Sequence, residues 1–109
     1  PFYNRQDQTD VGDGNIHYFL IGHNKPQRQM CILREIMPPG SDTGKEMLSH
    51  EGEEGGVVMQ GEVELTVGDK VRVLGPGDAY YFESKIPHRF RNVGKQDVIL
   101  VSANTPATF

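Results

Sequence analysis

The chain has 109 residues, enough for one domain with one hydrophobic core. Its net charge of -4 and its lack of a Lys/Arg run make it a poor candidate for binding nucleic acid by itself. A single cysteine excludes an internal disulfide bond, and neither a signal peptide nor an apolar run of roughly 20 residues is visible. We therefore expect a cytoplasmic protein that does not enter the membrane.

Thirteen glycines and seven prolines separate short runs of Val, Ile, Tyr and Phe, a pattern typical of all-β proteins. Residues 1–14 are polar and predict an N-terminal arm. No segment has a convincing helical pattern, and about eight closely spaced strands indicate one domain over residues 1–109, built as a sandwich or barrel. The strands are predicted over residues 16–21, 30–37, 57–59, 62–67, 70–74, 79–82, 88–92 and 98–103, followed by a tail at 104–109.

One polar stretch precedes the third predicted strand and carries His50 and Glu54. The two residues are four positions apart, so an extended chain points both side chains to one face. A helix would do the same, but three glycines between positions 52 and 56 argue against it, since each costs roughly 1 kcal/mol there relative to Ala. We predict both side chains on the inner face of a strand, with His88 as a third member from another strand.

Two imidazoles and one carboxylate form a metal-ligand set that suits Fe(II), Mn, Ni, Zn or Cu and leaves coordination positions open. The same three side chains could instead satisfy one another as a buried hydrogen-bonded cluster. They could also donate to and accept from an organic effector. His50, Glu54 and His88 are therefore candidates both for a divalent metal ion and for a ligand pocket.

Three further residues are candidate pocket walls from strand alternation. Phe90 shares a face with His88, and Val58 follows Glu54 at an even spacing. Strand alternation also makes Tyr81 a candidate for the pocket wall, and its phenol hydroxyl suits a solvated pocket better than an apolar core. The sequence offers no separate nucleophile or clear general base beside the metal-ligand set, so we predict no catalytic residue.

The spacing of these residues resembles the two motifs of the cupin family. Glu54 and Gly61 match the first motif, in which His50 takes the second histidine position and Leu48 occupies the first. Gly77 and the pair His88 and Asn92 match the second motif, whose Pro and Gly positions hold Glu83 and Lys85. The resemblance spans roughly residues 30–103 and implies a jelly-roll barrel, the double-stranded β-helix of cupins.

A narrower resemblance, carried by stretches 50–54, 61–65, 76–78, 86–92 and 104–109, is to the C-terminal sensor domain of XRE-type helix-turn-helix regulators. It implies a domain that senses a small-molecule effector, with DNA bound only through helices that precede Pro1 and are absent from this chain. The alternative is a small stand-alone metal-dependent cupin enzyme of the dioxygenase or isomerase type. Cupins commonly pair, so we expect a homodimer to which the first strand or the tail contributes.

Overall fold

The computed structural model describes residues 1–12, 14–44 and 47–107. Thr108 and Phe109 of the predicted tail lie outside these ranges. The described residues form one short 3-10 helix, Arg5–Asp7, and nine strands, which confirms the all-β prediction. The strands are β1 (Thr9–Asp10), β2 (His17–Ile21), β3 (Cys31–Met37), β4 (Glu53–Gln60), β5 (Val63–Val67), β6 (Lys70–Leu74), β7 (Ala79–Glu83), β8 (His88–Asn92) and β9 (Val98–Thr105). Within the described ranges, no helix is long and apolar enough to cross a membrane.

The strands form two antiparallel sheets that pack face to face as a jelly-roll barrel. The larger sheet has the order β1-β2-β3-β9-β4-β7, and the smaller has the order β6-β5-β8. Beyond β8 the smaller sheet has no continuous fourth strand among the described residues. Isolated bridges Asp42↔Arg91 and Leu48↔His88 attach the connection between β3 and β4 there instead, and its described residues, 38–44 and 47–52, are called the irregular segment below.

The hydrophobic core lies between the sheets and follows the alternation of the strands. On β9, for example, Val98 and Leu100 are fully buried, whereas Val101 points outward and is 37% exposed. Burying each large aliphatic side chain contributes roughly 1.5–3 kcal/mol. The main core consists of apolar residues from both sheets: Ile16, Met37, Val58, Val63, Leu65, Leu74, Phe82, Phe90, Val98 and Leu100.

The chain enters β4 through a turn that only glycine fits. Gly52 has a φ of +101°, and a Cβ atom built on it would lie 1.7 Å from the carbonyl oxygen of Thr105. Because of this turn, β4 begins at Glu53 and His50 lies outside the strand. The prediction that His50 and Glu54 share one strand was therefore wrong, and the turn brings the two side chains together instead.

Candidate functional site

A cavity of about 440 Å³ opens at the end of the barrel where the irregular segment, β4 and β8 meet. A volume of this size suits a small ligand. Strands of both sheets and the irregular segment contribute to its wall, and most of the side chains are polar or aromatic. The lining residues are Tyr18, Leu33, Glu35, Thr43, Leu48, His50, Glu54, His88, Phe90, Ser102 and Asn104.

Three predicted site residues converge at the mouth of this cavity. Nε2 of His50 lies 3.4 Å from Oε1 of Glu54, and Nε2 of His88 lies 3.2 Å from the same oxygen. The imidazole ring centroids are 5.3 Å apart and nearly perpendicular. Exposure falls from His50 (35%) through Glu54 (13%) to His88 (1%), so the cluster reaches from the opening into the interior.

Backbone carbonyls orient both imidazoles. Nδ1 of His88 lies 2.8 Å from the carbonyl oxygen of Ile86, and Nδ1 of His50 lies 3.3 Å from that of Glu51. A carbonyl oxygen can only accept, so Nδ1 carries the proton in each contact and Nε2 of the neutral ring keeps its lone pair. Among the described residues, Nε2 of His88 is buried and makes no hydrogen bond, although it lies 3.2 Å from Oε1 of Glu54.

The protonation of His88 is set by two opposing effects. Burial lowers the pKa of its imidazole, but the Glu54 carboxylate and the Ile86 carbonyl together favour the cation more strongly. The pKa of His88 therefore lies above its ordinary value. A metal ion or a cationic group beside Glu54 would have to compete with this proton.

The distances from Glu54 to both histidines are those expected if the three side chains were to hold one divalent metal ion. Two ligands bound at about 2.1 Å with angles between octahedral and tetrahedral lie roughly 3.0–3.4 Å apart, close to both distances from Glu54. The three ligand atoms lie within 4.8 Å of one another, and the described residues contain no other such group of three. Leu48, at the first histidine position of the motif, lines the cavity and offers no fourth ligand.

The other predicted pocket residues divide between the two faces of the sheets. Phe90 lines the cavity, and Val58 is fully buried in the adjoining core. Tyr81 points outward, is 71% exposed and donates a hydrogen bond to Glu53 at 2.6 Å. The prediction of an inward Tyr81 was wrong because β4 pairs Glu54 with Phe82 and Gly56 with Tyr80, so those two rings face inward.

Sequence reasoning missed Glu35 and Ser102, which form a second polar part of the cavity wall. The Ser102 hydroxyl donates to Oε2 of Glu35. The sequence does indicate that Glu35 faces inward, because it alternates with Leu33 and Met37, two apolar residues that point to the interior. Ser102 follows Leu100 in the same way on β9.

The pKa of Glu35 is set by a different balance of effects from that of His88. Burial raises the pKa of Glu35 to about 7, the Ser102 hydroxyl opposes this rise, and the nearby Glu54 carboxylate adds to it. The described residues of the lining include no Lys or Arg that could neutralise the two acids. The described wall therefore combines two carboxylates with two histidines and contains no Lys or Arg.

The sequence matches the model of the Cupin_2 family, described as a cupin domain, over residues 33–104. It is also 34% identical over 106 residues to the HTH-type transcriptional regulator PuuR of Escherichia coli. That alignment covers 97% of this chain and 57% of the regulator. The chain thus spans a little over half the length of this curated relative.

Solved structures share the fold at lower sequence identity. The Cupin_2 domain of an XRE family transcriptional regulator from Enterobacter cloacae superposes with a TM-score of 0.73 at 23% identity, covering 84% of this chain and 97% of that one. KdgF from Halomonas superposes with a TM-score of 0.78 at 20% identity, covering 97% and 94%. A cupin sugar phosphate isomerase from Silicibacter pomeroyi also gives 0.78, at 18% identity, covering 96% and 75%.

Proposed function

This chain belongs to the Cupin_2 family, and from that premise we propose that it is the small-molecule-sensing domain of a transcriptional regulator. Its likeness to the helix-turn-helix regulator from E. coli, which is nearly twice as long as the aligned region, supports this proposal. DNA would then be bound by a helix-turn-helix part that is absent from this chain. Such a regulator acts in the cytoplasm.

The cavity is the observation that carries the proposal. It combines a small-ligand volume with polar groups at its mouth and in a second part of its wall. His50, Glu54 and His88 would contact an effector at the mouth, and Phe90 would provide an apolar wall. Val58 supports this wall from the core, whereas Tyr81 lies on the outer face and has no part in the pocket.

A divalent metal ion could form part of this site, with Fe, Mn, Ni, Zn and Cu as the candidates. His50, Glu54 and His88 would hold it through two Nε2 atoms and one carboxylate. When bound, it would supply open coordination positions for an oxygen or nitrogen atom of the effector. The backbone carbonyls that orient the imidazoles would keep both Nε2 atoms directed at this point.

The irregular segment provides a route from ligand binding to a change of shape. It carries His50 and Leu48 to the cavity, and in its described parts it joins β8 through two isolated bridges and a few further hydrogen bonds, not through a continuous strand. An effector that contacts both sides of the mouth would favour one position of this segment over others. Because ligands shift an equilibrium only through differential affinity, these mouth contacts are where the signal would begin.

The outer face of the larger sheet would join two copies of the chain as a homodimer. Val57, Met59, Val101 and Tyr81 lie there with 37–71% of each residue exposed. Six strands of up to eight residues give a face of roughly 600 Å² in projection, close to the about 800 Å² each partner buries in a standard interface. A second copy is the expected occupant because helix-turn-helix readers bind paired half-sites as dimers.

A thermal-shift screen of small metabolites, with and without divalent ions, tests the sensing proposal. We expect one effector class to raise the melting temperature, by an amount that grows with ligand concentration as mass action requires. His50→Ala and His88→Ala should stay folded and lose this shift. His17→Ala, an exposed histidine paired with Asp10, is the matched control and should keep it.

An unchanged shift in both site variants would show that the effector binds elsewhere.

The alternative function, a metal-dependent enzyme of the dioxygenase or isomerase type, is favoured by one observation: the three-ligand set faces a cavity and leaves coordination positions open. Stoichiometric iron or manganese in protein purified without a His tag, together with turnover of a screened compound, would support the enzyme over the sensor.

A further inference from the structure

A second cavity, an open groove of about 850 Å³, lies between strands β6 and β7. Each of these is an edge strand of its sheet, so the groove follows the line where the two sheets part. Its described lining has no residue in common with the cavity that contains His50, Glu54 and His88. The groove is therefore a separate feature of the barrel, and the proposed sensing function makes no use of it.

Two basic side chains of β6 point into this groove. Lys70 is paired with Val67 and Arg72 with Leu65, and directly paired residues lie on the same face of a sheet. Because Leu65 belongs to the buried core, Lys70 and Arg72 also lie on the inner face of the smaller sheet. Both line the groove, although inward positions of the neighbouring strands are mostly apolar.

The floor of the groove is apolar. Leu65 and Leu74 contribute to it from the smaller sheet, and Phe82 contributes from the larger sheet. The Tyr80 ring packs 5.7 Å from that of Phe82 and 5.3 Å from that of Phe90, which lines the other cavity. These rings separate the groove from the other cavity and give it a continuous apolar surface.

The two basic groups lack partners of their own. Among the described residues, neither Lys70 nor Arg72 forms an ion pair, whereas three other basic residues of the barrel do. One acid, Asp69, lines the groove at the turn between β5 and β6, so its described lining keeps one net positive charge. An anion beside the two cations would therefore meet a complementary charge.

We propose that this groove binds an amphipathic anion, with an alkyl chain on the apolar floor and a carboxylate beside Lys70 and Arg72. Alternate residues of a strand lie about 7 Å apart, and both side chains are long enough to reach one head group. The guanidinium of Arg72 offers a carboxylate two parallel hydrogen bonds. A strand from another protein fits less well, because inward charges on an edge strand oppose the addition of a further strand.

Three probes with one alkyl chain and different head groups test the proposal: octanoate, 1-octanol and octylamine. Dissociation constants are measured by NMR titration at concentrations where the probes do not aggregate, and the shifted amides locate the site. We expect octanoate to bind about tenfold or more tightly than the other two, with shifts along β6 and β7. A double variant, Lys70→Gln with Arg72→Gln, should lose this advantage and keep its affinity for 1-octanol.

The matched control, Arg91→Gln with Lys95→Gln, removes the same charge from exposed positions outside the groove. It should bind octanoate as the wild type does, and circular dichroism should show both double variants folded. The proposal is overturned if octanoate binds no better than 1-octanol, if its shifts centre on the cavity of His50 and His88, or if the groove variant keeps its octanoate affinity. Self-association of that variant, with no octanoate binding by the wild type, would mean that the two charges only protect the strand edge.

Discussion

The two faces of the larger sheet use neighbouring residues for opposite purposes. Glu54 faces inward toward two histidines, whereas Glu53 faces outward and accepts a hydrogen bond from Tyr81. Tyr80 is similarly enclosed beside the acids of the cavity, whereas Tyr81 is exposed. Since side chains alternate along a strand, a register shift of one residue would exchange the two sets. The pairing of β4 with β7 and β9 therefore decides which acid lines the cavity and which phenol packs against the core.

The outer faces of the two sheets also differ. On the larger sheet, Val57 is paired with Val101 and Ala79, so adjacent outward positions of three strands are apolar. On the smaller sheet, Glu64 and Arg91 face each other and form a surface ion pair. An antiparallel sheet that faces only water alternates apolar and polar residues, as the smaller sheet largely does. The apolar outer face of the larger sheet is the feature that a second copy would cover.

We expect the largest difference between inward-facing and outward-facing acids in the pH dependence of stability. The pKa of Glu35 is about 7 in the folded chain against an ordinary 4.5, so between these values the folded state holds a proton that the unfolded chain has released. The free energy of unfolding should therefore fall as pH rises from 4.5 through 7, by about 3 kcal/mol. Urea unfolding of the wild type across this range measures the fall.

Glu35→Gln should flatten this pH profile, whereas Glu64→Gln on the outer face should leave it unchanged. The raised pKa of His88 acts in the same direction, since its stabilisation is lost as pH rises above 6.5 through the folded pKa. A residual slope above pH 6.5 is thus expected in Glu35→Gln. A wild-type profile that is flat between pH 4.5 and 7 would mean that Glu35 is well solvated.

The next effect concerns self-association. Val57→Lys places a charge in the apolar outer face of the larger sheet, and we expect it to weaken the homodimer at least a hundredfold in sedimentation equilibrium. Val71→Lys is the matched control, because Val71 is an exposed valine on the outer face of the smaller sheet. A wild-type monomer at all concentrations, or equal weakening by both variants, would contradict the assignment of this face.

The smallest effect is expected from the two tyrosines. Tyr80→Phe removes a buried hydroxyl that has no hydrogen-bond partner in the described parts of the chain. Its desolvation cost disappears with it, so the free energy of unfolding should stay unchanged or rise by about 1 kcal/mol. Tyr81→Phe removes an exposed hydrogen bond and should have the opposite and smaller effect. A marked loss of stability in Tyr80→Phe would show that this hydroxyl is paired.

Local patterns were sufficient for the strands and for part of the site. Alternation predicted strands over 62–67 and 70–74, and the structure contains them as the paired strands β5 and β6. Motif spacing predicted that His50, Glu54 and His88 converge, and their side chains do meet. The same spacing could not show that β4 begins only after Gly52 and leaves His50 outside it, because that turn packs against Thr105, which is distant in sequence.

The sequence by itself determined the all-β class, the strand positions and the residue types able to bind a metal ion, because these follow from periodicities within a few residues. Only the tertiary structure decided which of Tyr80 and Tyr81 faces the interior, since that depends on pairing between β4 and β7. It also decided that Glu35 is enclosed. Its partner Ser102 is 67 positions away, and only the pairing of β3 with β9 brings the two together in a space that water cannot fully reach.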